Sequence, residues 1–469
     1  MARPVSNWPI GTVPGLGSYL SPMEELFNPA WVDAQVAHSI NLWNDCATQP
    51  VSIGAQLRPQ FRLEEQQRRE DAYDEALQAV EREARRMPRS KADQLAGQAR
   101  IVNAFPRFAA IALGLDGPAI HLLTDNFLPV GTQLARWARE FDADISTADM
   151  IQACRNAWTA SGLQPLLGEP MGMTPSILGY SLLYPYSDNY LDSAEITSAD
   201  KLRFSARFRQ RLQGHILPPR NRHESAVWAL VRLIEEQYPR PRYPQVFDSL
   251  LAIHAAQEKS MAQLGKYRLD SYGLSPSDLS EILRISCAKG GTSVLADACL
   301  AHGNLSQEQS RFAFAWGVLL QLGDDLQDVA DDIRRGSVTL FSHAVSMHQS
   351  LDSLVLQLLN LSDRVADEMD RLPHGTDSLK GLLRMSWRSL ILMAVADAHT
   401  FFTPQFLAEQ ERGSSFRFDF LRARRQRLSG RRGLYEIVFD AFLEADAENS
   451  SPSQLPRPTE EPALAAMRA

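Results

Sequence analysis

Trp316-Gly317-Val318-Leu319-Leu320-Gln321-Leu322-Gly323-Asp324-Asp325-Leu326-Gln327-Asp328-Val329-Ala330-Asp331-Asp332 is the stretch on which the reading of this 469-residue chain turns. Its leucines, Trp316 and Val329 recur at helical spacing and mark a helix that is otherwise core material. On such a helix Asp324 and Asp328 share a face, Asp325 adjoins them, and Gln321 stands one turn earlier. Ionised carboxylates in a core cost several kcal/mol each unless protons, basic side chains or a metal neutralise them. Arg334 and Arg335 are the local bases at hand. Magnesium is the alternative, because it is hard, prefers oxygen, and is commonly shared between one or two carboxylates and substrate phosphates.

A second acidic segment lies upstream: Tyr184-Pro185-Tyr186-Ser187-Asp188-Asn189-Tyr190-Leu191-Asp192. Helical spacing projects Asp188 and Asp192 together, with Tyr184 one turn before them. The surrounding tyrosines and leucines imply partial burial, so this pair also calls for a compensating cation. A third segment, Ile282-Leu283-Arg284-Ile285-Ser286-Cys287-Ala288-Lys289-Gly290-Gly291-Thr292, places Arg284 and Lys289 on an apolar run broken by a glycine pair. Bases in that setting want anions.

Outward from these segments, apolar residues recur at three- and four-residue spacing from about Phe105. Pro129, Pro165, Pro185, Pro218, Pro239 and Pro276 punctuate the pattern, and alternating β-branched runs are nearly absent. The chain reads as all-α, with a flexible N-terminus over 1–24, a helical N-terminal extension over 25–104, one helical domain over 105–446, and a disordered tail over 447–469. Between about Leu57 and Arg100 it is dense in Glu, Arg, Gln and Ala, which predicts a solvated helical face. The formal charge of −8 argues against a sequence-independent nucleic-acid binder. Cys46, Cys154, Cys287 and Cys299 form no CxxC pair, so neither a disulfide framework nor a zinc site is suggested. With no signal-like start and no apolar run of membrane-spanning length, a cytoplasmic location without stable membrane insertion is expected.

Gly317, Gln321, Asp324, Asp325 and Asp328 resemble the G-x-x-x-Q-x-x-D-D-x-x-D motif, the second aspartate-rich motif of class I isoprenoid synthases, notably trans-prenyltransferases. Asp188 to Asp192 looks like the first motif of that family, D-D-x-x-D, with Asn189 in its second place. The resemblance implies a class I isoprenoid synthase-like bundle around a central cavity. Asp188, Asp192, Asp324, Asp325 and Asp328 would hold three Mg2+ ions that grip a prenyl diphosphate and draw it off. It implies diphosphate contacts from Gln321, from Lys289, which is similar to the Lys of a K-T motif, and from Arg284, which sits where cyclases keep a diphosphate-sensing Arg. Arg431, Arg432 and Tyr435 resemble the Arg and Tyr pair that cyclases close over the leaving group. Tyr184 and Trp316 are candidates for the hydrocarbon pocket, and a homodimer is compatible with the family.

The basic segments with which elongating transferases bind a second diphosphate are not visible. After Asp192 the chain runs Ser193-Ala194-Glu195-Ile196-Thr197-Ser198-Ala199-Asp200, acidic where a transferase would be basic. The expectation is therefore a terpene synthase that ionises farnesyl or geranylgeranyl diphosphate, then cyclises or eliminates from the cation. The alternatives are a trans-prenyltransferase elongating an allylic diphosphate with isopentenyl diphosphate, and a non-catalytic helical relative that binds lipid or a partner.

Overall fold

Serine or threonine side chains cap the start of many of the helices. Ser275 and Ser306 each accept from the backbone N–H three residues on, and Asp278 and Gln309 answer by accepting from the cap's own N–H. These reciprocal pairs satisfy N–H groups that a helix end would otherwise leave orphaned. In the computed structural model, residues 27–48, 60–86, 90–193, 195–266 and 274–431 are described, and no strand occurs among them. The expected flexible ends, 1–24 and 447–469, lie outside the described residues.

The helices run α1 (Pro29–Thr48), α2 (Leu63–Arg86), α3 (Lys91–Phe108), α4 (Gly117–His121), α5 (Leu128–Phe141), α6 (Thr147–Leu166), α7 (Pro175–Asp192), α8 (Ser198–Leu212) and α9 (Arg222–Gln237). They continue through α10 (Pro244–Lys266), α11 (Pro276–His302), α12 (Gln307–Gln327), α13 (Val329–Arg335), α14 (Leu340–Ser346), α15 (Asp352–Arg371), α16 (Asp377–Asp397), α17 (Pro404–Arg412) and α18 (Phe418–Ser429). One apolar cluster extends from Val36 and Trp43 of α1 to Phe418 of α18, with Phe312, Phe314 and Phe341 fully buried in it. No helix of the described residues is long and apolar enough to cross a membrane. The four cysteines are free and buried.

α11 and α12 pack backbone against backbone. A Cβ on Gly317 would stand 2.0 Å from the carbonyl oxygen of Gly290, and one on Gly290 would meet Gln321 Cβ at 2.4 Å. Helix backbones touch there because neither partner carries a side chain at the crossing. The expected break at Gly290-Gly291 does not occur: α11 is continuous, and the glycines serve interhelical contact instead. Pro165 and Pro185 likewise lie inside α6 and α7 rather than between helices. Pro165 falls in the last turn of α6, where continuation of the ladder matters least, and the neighbours of α7 hold it together across Pro185.

The charged stretch that contains α2 is not simply a solvated face. Gln66, Glu70, Glu81 and Glu83 are buried, and Glu70 accepts from Arg417 Nε at 3.0 Å, while Glu81 accepts from Arg427 Nε at 2.9 Å. Arg424 pairs with Asp74, and Tyr73 packs edge-on against Phe416 and Phe420. The acidic helix near one end of the sequence is thereby clasped to the basic helix near the other.

Candidate functional site

The helical run of α12 ends at Gln327. Asp328 takes φ −91° and ψ 4°, and α13 restarts behind it. Across this offset Asp324, Asp325, Asp328 and Asp332 still line one chamber of about 880 Å3, which Lys289 of α11 and Lys201 of α8 also border. Asp325 is buried and accepts from Gln321 Nε2 at 2.8 Å and from Ser286 Oγ at 2.9 Å. Burial pushes its carboxyl up to about 6, against the lowering pull of those two donors, with the Asp324 charge adding to the rise. Asp332 is pushed up to about 7, by burial first and then by Asp325 and Asp328. Asp324 and Asp328 reach solvent at the chamber wall, yet the protein crowded around them raises both carboxyls by desolvation, and neighbouring carboxylates raise them further. Arg155 of α6 offsets part of this with Nη2 3.4 Å from Asp324 Oδ1.

Asp188 of α7 is buried and lines a smaller chamber of about 170 Å3, whose lining also includes Asp324, Lys289 and Gln321. Ser187 Oγ donates to Asp188 Oδ1 at 3.4 Å. Tyr184, one turn earlier, borders the same space. Asn189 faces away from it, because one residue turns about 100° around a helix. Its Nδ2 donates to Asp149 Oδ1 at 2.7 Å and to Gln152 Oε1 at 3.4 Å, fixing α7 to α6. The side chain of Asp192 lies outside the described residues.

A third chamber, about 610 Å3, opens along the next face of α12 and is apolar. Trp158, Trp316, Trp387, Phe105, Phe127 and Leu320 line it, with Arg155 and Asp324 at its border. The Trp316 and Trp387 rings sit 5.2 Å apart at 57°, and Trp158 Nε1 donates to the Phe127 carbonyl at 2.8 Å. Asp324 therefore belongs to all three chambers, two that carry several charged side chains and one that is apolar.

Of the expected site residues, Asp188, Asp324, Lys289, Gln321 and Tyr184 share one chamber; Asp325 and Asp328 line the larger one beside it, and Trp316 lines the apolar one. Arg284 turns instead toward Asp33 of α1 at 3.7 Å and Glu281 at 3.8 Å. Arg431 pairs with Glu81 of α2, and Arg432 and Tyr435 lie outside the described residues. Asp332, Arg155 and Asp297 were not singled out from the sequence. For Asp332 a signal existed, since 324, 328 and 332 continue one four-residue spacing. Arg155 and Asp297 carry no motif, and only the packing of α6 and α11 around the cavity places them there.

The acidic cluster offers oxygen donors only, which is the chemistry of a hard divalent cation such as magnesium. Among the described residues no three His, Cys, Asp or Glu side chains come together as a ready-made metal cage. Magnesium ordinarily takes one or two carboxylates and completes its shell with water and phosphate, so the donor set fits it as a shared site. No protein-family model matches the chain, and neither a curated protein nor a solved structure matches it.

Proposed function

We propose that the protein is a magnesium-dependent enzyme of the class I isoprenoid synthase type that ionises an allylic prenyl diphosphate and transforms the resulting cation by cyclisation or elimination. The observation that carries this reading is the position of Asp324. It lines one chamber together with Asp188, belongs to the acidic chamber with Asp325, Asp328 and Asp332, and borders the tryptophan-lined apolar chamber. A diphosphate in the charged space would thus lie next to its own hydrocarbon chain in the apolar one. At about 610 Å3 that apolar space falls within the ordinary range of small-molecule sites.

Magnesium bound among these carboxylates would stabilise the negative charge that develops on the departing diphosphate. Lys289, which borders both charged chambers, places a point charge beside the same group. Gln321 and Ser286 hold Asp325 in place. Trp158, Trp316 and Trp387 line the space for the chain, where aromatic rings would exclude water and stabilise positive charge.

The test is release of diphosphate from farnesyl or geranylgeranyl diphosphate with magnesium, compared with Asp324→Asn. The variant should lose at least about a hundredfold in rate, as expected for removing a group that acts on the transition state, with its helical circular dichroism kept. Equal rates in a folded variant would reject the assignment. Adding isopentenyl diphosphate separates the two enzymatic readings. A longer diphosphate formed only with both substrates would point to a chain-elongating transferase, with Lys201 and Arg335, both lining the larger chamber, available to the second diphosphate.

A further inference from the structure

The chamber that Asp188 and Asp324 both line is polar along most of its wall, which a site built only for hydrocarbon does not require. Lys289, Ser293 and Asp297 follow each other at four-residue spacing on α11 and all line it. Asp297 therefore stands two turns beyond Lys289, roughly 12 Å along the helix. It is 1% exposed, and among the described residues its Oδ1 has no hydrogen-bond partner. Asn156, on α6, lines the same chamber, and its buried Nδ2 is likewise without a partner among the described residues. Two residues on different helices, each with an orphaned polar atom, one an acceptor and one a donor, line a common space of about 170 Å3. Each carries a desolvation penalty that a bound polar molecule would relieve. A space of this size and polarity suits a few waters, which bind where several polar groups converge.

We propose that Asp297 and Asn156 hold water in this chamber and that this water captures the substrate cation, so that the product is a prenyl or terpene alcohol. The inference rests on the ionisation reading above. Arg155, Thr159, Leu320 and Asp324 line both this chamber and the apolar one, so water held here adjoins the space assigned to the chain. In the reaction the carbon–oxygen bond to diphosphate breaks and its electron pair leaves with the diphosphate. A lone pair of the water oxygen then forms the new carbon–oxygen bond. The proton lost from the resulting oxonium goes to the released diphosphate anion, the base produced in the same step. Burial drives the Asp297 carboxyl well above the usual carboxylate range. A neutral carboxyl both donates and accepts, so it can orient a water while placing no full negative charge where the cation would combine with it as an ester.

The experiment incubates the full chain with farnesyl diphosphate and magnesium in water enriched in heavy oxygen, and analyses both diphosphate and organic products. An alcohol carrying the heavy oxygen on carbon is the expected result. Asp297→Leu should lower the ratio of alcohol to hydrocarbon at least about tenfold, and Asp297→Asn, which keeps polar atoms, should retain the alcohol as the main product. Asn156→Leu, on a separate helix, should shift the ratio in the same direction and serves if Asp297→Leu does not fold. Hydrocarbon alone from the unaltered protein, or a ratio unchanged in the leucine variants, would overturn water capture while leaving ionisation standing. Absence of diphosphate release from the unaltered protein would overturn both.

Discussion

Asp325 and Asp332 carry the clearest residue-scale consequence. Both have folded-state pKa values above the 3.8 of an unperturbed Asp, at about 6 and about 7. The native state therefore binds protons more tightly than the unfolded chain. That contribution to stability is fully present below pH 3.8 and is lost as pH rises through 6 and 7. His254 works the other way. Burial lowers it from 6.5 to about 4, so its contribution is present above 6.5 and is lost as pH falls toward 4. Desolvation likewise lowers His223 and His343, while it raises Asp297, Asp324, Asp328 and Glu368, so the carboxyls shifted upward outnumber the imidazoles shifted downward. Thermal melts in the presence of a chelator should show stability declining from pH 5 to pH 7 and levelling above it, at about 1.4 kcal/mol per pH unit for each unbalanced proton. Asp332→Asn should remove one such proton and flatten the decline. An unchanged slope in that variant would show that Asp332 does not titrate in this range. Spacing alone marked Asp324, Asp325 and Asp328 as a cluster. Asp332 continues that spacing one turn on, but it stands outside the motif and past the helix break at Asp328, so the chamber is what shows that it belongs to the cluster.

At the scale of the element, the α11–α12 crossing decides how close Lys289 comes to the acidic cluster. Gly317→Ala would drive a methyl group into the Gly290 carbonyl and should cost about 3 kcal/mol or more, because backbone, unlike a flexible side chain, cannot move aside cheaply. Gly323 lies on the same helix with nothing within 4 Å of its missing Cβ. Gly323→Ala should therefore stabilise by about 0.5–1 kcal/mol through helix propensity alone. Urea midpoints of the two variants check the contrast, and similar values would mean that the helices can separate at no cost. In the sequence the Gly290-Gly291 pair reads as a helix break, since glycine in a helix is unfavourable in isolation. The crossing reverses that reading because contact between helices more than compensates for the propensity loss.

At the scale of the whole molecule, α2 and α18 join residues some 350 positions apart. Glu81 accepts from Arg427 at 2.9 and 2.8 Å and also binds Arg431. Glu81→Ala would leave two guanidinium groups facing a partly buried gap and should cost about 2–3 kcal/mol, seen as a lower urea midpoint. The same variant in a fold that tolerates loss of α2 would show no change. From composition, residues 57–100 read as a solvated face, and nothing local shows that the arginines from Arg417 to Arg431 meet them. Only their juxtaposition reveals that the charges of one neutralise those of the other.

The sequence by itself determined the helical class and the acidic clusters. Periodicity, caps and carboxylate spacing are local properties, written within a few turns of chain. What only the tertiary structure decided is which of these features meet: that Asp188 and Asp324 border one chamber, that Arg284 turns to Asp33, that Asp297 is buried at the cavity wall, and that α2 closes against α18. Those outcomes depend on how helices pack across hundreds of residues. Packing is set by the sum of many apolar contacts and close backbone crossings, and no short segment encodes it.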